Sequence, residues 1–289
     1  MAVTARRGIT ATDRLMLGYL ALNTAVLLVR AGRIESWPWL LAGNALTVAL
    51  IAMLARATPT RFVTFIGAAY PVILTLGFYT QIGTINGELG LVYDQAVQRW
   101  ETALFGSQVS VTWHAAMPNA VLSWVLHFCY GSYYWIVGVP LLFLALRRRG
   151  EAFDRGCFLI TLGFYVCYAM YLFFPVAGPR YFFGVATGPA ADVLPARIVH
   201  ALLEGGSAWG TAFPSSHIAA SCCSAAAVWR EARRLSFVLW VMAVGLALGT
   251  VYGQFHYGVD ALAGAALAMA LIAAAGPLRR RRGAAAAPA

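Results

Sequence analysis

The chain has 289 residues, 61% of them hydrophobic and only 11% charged, with a mean hydropathy of +0.70. An ordinary soluble domain is about 45–50% apolar, so this composition excludes that class and indicates a membrane protein. The net charge of +10 comes from 21 basic residues, all arginine, set in short runs between apolar stretches, a topology signal and not a nucleic-acid-binding surface.

Eight stretches are apolar enough to cross a bilayer, which takes roughly 20 residues each. In chain order they are 15–29, 37–55, 62–80, 120–146, 156–174, 213–229, 235–253 and 257–276. The first is preceded by arginines but has no small-residue cleavage site behind it, and is expected to be a retained helix. With a cytoplasmic N-terminus, eight spans put sixteen arginines inside, among them the "RRRGEAFDR" loop and the "RRRR" run near the end. Arg30, Arg33, Arg99, Arg180 and Arg197 are left outside. That asymmetry predicts both termini in the cytoplasm. The expected organisation is N-terminal transmembrane helices over 1–80, a catalytic membrane domain over 81–276 and a basic, disordered cytoplasmic tail over 277–289. The fold class is an all-α, polytopic helix bundle of about eight spans. The five cysteines lie inside predicted helices without metal-ligand spacing, as small core residues do.

Two outer loops are long, 81–119 and 175–212. In "LVYDQAVQRWETALFG" the residues Tyr93, Val97, Trp100 and Leu104 recur at helical spacing, with Asp94, Gln98, Glu101 and Thr102 elsewhere around the wheel. An amphipathic helix lying at the interface is expected, serving either as an anchor or as a guide for a lipid. The second loop begins "PVAGPRYFFG" and reads as a structured turn region.

Ionisable residues at span ends are costly and are candidates for function. Arg180 lies past the fifth span, His217 opens the sixth in "FPSSHIAAS", and His256 and Asp260 join the seventh and eighth in "HYGVD". The arginine-derived topology puts all of them on one face. Four residues apart on a helix, Asp260 can accept from one nitrogen of His256 and leave the other as a lone pair, which suits a nucleophile or base. A polar pair that merely links two helices is the bland alternative. Pro214, Ser215 and Ser216 look like a helix start, where free N–H groups also attract anions. A nucleophilic serine fits less well, because "FPSSH" lacks the glycine-flanked elbow of hydrolases. His114, His127 and His200 read as hydrogen-bonded or surface histidines.

At these residues the sequence resembles the type 2 phosphatidic acid phosphatase superfamily, with its motifs K-x6-R-P, P-S-G-H and S-R-x5-H-x3-D. "FPSSH" matches the second with Ser216 in the glycine position, and "HYGVD" matches the end of the third. "YDQAVQRWETALFG", "YGSYYWIVGVPL" and "FPVAGPRYFF" are similar to segments of the inositol phosphorylceramide synthase-like branch. The chain has no lysine, and Gly249 and Thr250 stand where the S-R pair falls. The resemblance implies a lipid phosphatase or phosphotransferase that needs no cofactor and no metal. In it His256 attacks phosphorus, Asp260 orients it and His217 protonates the leaving oxygen. Arg180, Ser215 and Ser216 hold the phosphoryl oxygens. Tyr181, Tyr252, Tyr257, Asp94 and Glu101 are further candidate substrate contacts. The partners implied are a membrane lipid and a polar alcohol acceptor such as inositol, with no nucleic acid. The rival is a transporter with the same residues lining a polar path. Transporters place such residues near the midplane, often within repeated halves, whereas these sit at span ends and the halves do not repeat.

Overall fold

The computed structural model describes residues 6–285, with side chains as far as Ala275. The structure is 76% helix, and the described residues contain no strand, only one backbone bridge between Val176 and Thr211. The protein is a membrane helix bundle.

Helix α1 (Ala11–Val29) starts on a capping box in which Thr10 and Asp13 satisfy each other's backbone N–H groups. It is followed by α2 (Trp37–Arg56), α3 (Arg61–Ile73) and α4 (Thr75–Leu89). The last two form one apolar run of 29 residues, broken after Pro71, whose ring and missing N–H disrupt the helix ladder. Amides clamp these helices together inside the apolar layer. Asn44 donates to Asn23 at 2.8 Å, and Gln81 donates to Asn44 at 3.1 Å.

Two helices leave the bundle axis, α5 (Asp94–Phe105) and α6 (Val109–Ala116). Then α7 (Ala120–Gly131) and α8 (Tyr133–Leu146) form a pair bent by 44°, and α9 (Gly150–Tyr171) follows. The predicted turn region 175–212 contains a short α10 (Arg180–Phe183) and α11 (Leu194–Gly206). The chain closes with α12 (Ser216–Ala227), α13 (Arg233–Tyr252) and α14 (Gly258–Ala285). The arginine run of the predicted tail thus begins inside α14, and residues 286–289 lie outside the described residues.

Five helical stretches are long and apolar enough to span a membrane, namely α1, α2, α3 with α4, α13 and α14, and the bent α7–α8 pair brings the count to six. The other two predicted segments are α9, which opens on Glu151, Asp154 and Arg155, and α12, which has only 12 residues. At 1.5 Å per residue α12 is about 18 Å long. It is the hub of the C-terminal half, packed against α8, α9, α13 and α14. Its sequence "SHIAASCCSAAA" supplies the small side chains that let neighbouring backbones approach.

Candidate active site

The site forms where three turns meet at one end of the bundle. The turn before α12 is tied to the segment after α9, because Ala212 donates its N–H to Val176 O at 2.8 Å. Tyr171, on the last turn of α9, braces the same turn. Its hydroxyl donates to Pro214 O at 2.7 Å and accepts from Ser216 N at 3.0 Å. Ser215 is the N-cap of α12 and accepts from Ile218 N at 3.5 Å.

The third turn joins α13 to α14. Gln254 takes a left-handed conformation, φ 59°, and the N–H groups of Phe255 and His256 both donate to Thr250 O. His256 therefore lies in the turn, and Asp260 in the first turn of α14. This differs from two residues sharing one helix face, because the helix does not begin until Gly258. The spacing still works, since the turn folds back over the helix start. His256 Nδ1 is 3.4 Å from Asp260 Oδ2, which also accepts from Tyr257 N at 2.9 Å.

On its other side His256 Nε2 is 3.3 Å from Ser215 Oγ, and Ser215 N donates to Asp260 O at 3.1 Å. This contact needs α14 to lie against the Ser215 turn, and Gly264 permits it, because a Cβ there would sit 2.5 Å from Ser215 O. With Asp260 accepting a hydrogen bond from Nδ1–H, Nε2 carries a lone pair. Burial pushes the pKa of His256 down to about 4, against the opposing pull of the Ala212 carbonyl, so the ring is neutral at pH 7.

His217, the second residue of α12, has its ring centroid 5.8 Å from that of His256. Its Nδ1 is buried without a partner, and its ring packs against Tyr130 and Tyr133. Beside it is a cavity of about 30 Å³, the volume of about one water molecule.

Arg180 opens α10 and reaches this end through Gly178, at φ +105°, where a Cβ would lie 3.2 Å from Phe255 O. Its guanidinium lies over the Tyr181 ring at 5.4 Å, and its Nη1 is buried without a hydrogen-bond partner. Burial, then the nearby charge of Arg180, holds the pKa of His200 below its ordinary value.

The two carboxylates of α5 have other occupations. Asp94 accepts from Ala177 N and Gly178 N, each at 2.8 Å, and from the Tyr257 hydroxyl at 3.1 Å. Glu101 accepts from Gly258 N and Val259 N, each at 3.0 Å, and so caps the helix that carries Asp260. Both are buried, while Tyr93, Trp100 and Leu104 are exposed. The helix thus turns its carboxylates inward and its aromatics outward, and only Val97 of the expected apolar face joins the core. Lone backbone N–H groups at the turns after α9 and before α14 need acceptors, which explains the inversion.

Of the tyrosines, Tyr252 donates to Met117 O at 2.8 Å, away from His256, and Tyr257 sits between Asp94 and Gln98. Tyr181 is exposed, 3.4 Å from Ser207 Oγ. Sequence reasoning missed Tyr171, one of two tyrosines in "YAMY", because nothing local marks a tyrosine that caps a distant turn. It also set aside His114, His127 and His200. Phe255 packs against the rings of His127 and His200 at 5.8 and 5.4 Å, and Tyr252 packs against His114 at 4.8 Å, so all five histidines of the chain gather at this end. Among the described residues no group of three or more His, Cys, Asp and Glu is arranged to hold a metal ion.

A sequence model of the PAP2 superfamily matches residues 95–274, from α5 through the candidate membrane span of α14. The chain belongs to the PAP2 superfamily. Members of the PAP2 superfamily are phosphatases, which supports phosphoester hydrolysis by an enzyme set in a membrane. No curated protein and no solved structure matches the chain. The family match includes every element that meets at the three turns and leaves out α1 to α4.

Proposed function

We propose that this protein is a lipid phosphatase or phosphotransferase that works through a phosphohistidine. The observation that carries the reading is the line Asp260–His256–Ser215, with the second histidine ring, His217, 5.8 Å from the first. His256 Nε2 attacks phosphorus, a P–N bond forms and the P–O bond to the leaving alcohol breaks. His217, entering the step as the imidazolium, gives its proton to that oxygen. Asp260 holds the Nδ1 proton and balances the charge that the ring acquires. Neutral His217 then takes the proton of water or of an acceptor alcohol, whose oxygen attacks phosphorus and frees His256. Arg180 Nη1 and the N–H groups at the start of α12 stabilise the phosphoryl oxygens.

The finer reading places the protein with the inositol phosphorylceramide synthase-like branch, with inositol or a lipid hydroxyl as acceptor. The missing lysine and the Gly249–Thr250 replacement support it. The arginine asymmetry supports eight crossings, with both termini in the cytoplasm and the site on the other side. The experiment is purified protein in lipid vesicles, given phosphatidic acid, an isoprenyl phosphate or phosphatidylinositol, with and without inositol or a ceramide. Free phosphate marks hydrolysis and a new phosphodiester marks transfer. Full activity of His256→Ala in both assays refutes the mechanism.

The 3.3 Å separation of Ser215 Oγ and His256 Nε2 favours one second reading, in which His256 is the base and Ser215 the nucleophile. The trapped intermediate separates the two. A phosphohistidine is labile in acid and stable in alkali, and a phosphoserine behaves the other way round.

A further inference from the structure

Away from the three turns, a groove of about 710 Å³ runs between α1 and α9, within the size range of ligand sites. Its walls include Gly18, Leu22, Ala169, Met170, Phe173 and Phe174, and Arg14 stands at one end. The two helices run in the same direction, because the Tyr19 ring meets Tyr165 at 4.6 Å while Arg30, further along α1, donates to Leu172 O. Arg14 and Phe174 therefore mark opposite ends.

The Phe174 end abuts the candidate active site. Its ring stacks on Trp100 and lies 5.7 Å from that of Phe213, which immediately precedes Pro214 and Ser215. Aromatic rings thus run from the apolar groove to the turn that faces His256. The groove is half built by α1, outside the residues that the family shares.

We propose that this groove holds a hydrocarbon chain of the lipid substrate while its phosphoryl group lies at His256. The inference rests on the lipid-phosphate reading above. It assigns a chain-length selectivity to α1 that the catalytic turns alone do not provide. The lining is apolar apart from Arg14 at the far end and the tyrosines Tyr19 and Tyr165, and a membrane-resident substrate must place its chains somewhere in the apolar layer as its phosphate enters. The rings of Phe174 and Phe213 give the chain a continuous apolar path between the two.

Gly18 offers a clean test, because a Cβ there meets nothing within 4 Å. Gly18→Leu fills the groove without a clash in the fold, and Gly18→Ala serves as a near-neutral control. Full-length protein in mixed micelles is assayed with dioctanoyl and dipalmitoyl phosphatidic acid. The expected result is a KM for the long-chain substrate raised about tenfold, the loss of roughly one to two buried methylenes, with short-chain turnover unchanged. Equal effects on both substrates, or none on either, overturn the proposal. If Gly18→Leu strips co-purified phospholipid and leaves the chain-length dependence as it was, the groove holds a structural lipid and the proposal also falls. Failure of the wild-type protein to act on phosphatidic acid, an isoprenyl phosphate or phosphatidylinositol removes the lipid-phosphate reading itself, a distinct outcome.

Discussion

Replacing Glu101 with glutamine removes a charge that never meets solvent and lies one helix turn from the reacting groups. The carboxylate takes two N–H groups at 3.0 Å from the first turn of α14, and Asp260 sits on that same turn. Glutamine keeps one acceptor and points an NH₂ group at the second N–H. One buried donor is left unmade, at about 1–3 kcal/mol, and the favourable placement of a negative charge at a helix start, worth up to about 2 kcal/mol, is lost. If about 3 kcal/mol of this reaches the transition state through a displaced Asp260, kcat falls about 100-fold. The measurement is initial phosphate release in detergent micelles, with the melting temperature taken in the same buffer. A variant within about threefold of wild type in kcat, and unchanged in melting, would show that Glu101 does not hold the catalytic turn.

Arg180→Gln is expected to lower kcat/KM by about 100-fold and Arg180→Lys by less, because the lysine restores charge without the planar fork. Equal losses in the two would mean that charge plays no part. Gly264→Ala pushes Ser215 away from α14 and is expected to cut activity at least tenfold while the helix content in circular dichroism stays constant. The pH dependence follows from His256, whose folded pKa of about 4 lies below its unfolded value of about 6.5. Stability from its neutral form is fully present above about pH 6.5 and is lost as pH falls toward 4. The melting temperature should therefore drop over that window, and His256→Gln should flatten the drop.

The apolar runs that became α1, α2, α13 and α14 are visible as composition, because lipid demands long apolar helices whatever their neighbours. The motif residues at Ser215, His217, His256 and Asp260 could be found because chemistry fixes residue type and spacing together. Other features depend on partners distant in sequence. The 12 residues of α12 were hidden inside a longer apolar stretch, since a buried helix and a lipid-facing one have the same composition. The inward turn of Asp94 and Glu101 was illegible because their acceptor role is set by unpaired N–H groups more than 80 residues away. Tyr171 escaped for the same reason, its two bonds reaching across 43 and 45 residues.

The shortness of α12 is made up by its neighbour. The far end of α12 runs into exposed Trp229 and Arg230, an aromatic and a cation that belong at a membrane surface. The next helix, α13, runs 20 residues, about 30 Å, back from that end to the turn that carries His256, 3.3 Å from Ser215, so the short helix starts level with the end of the long one.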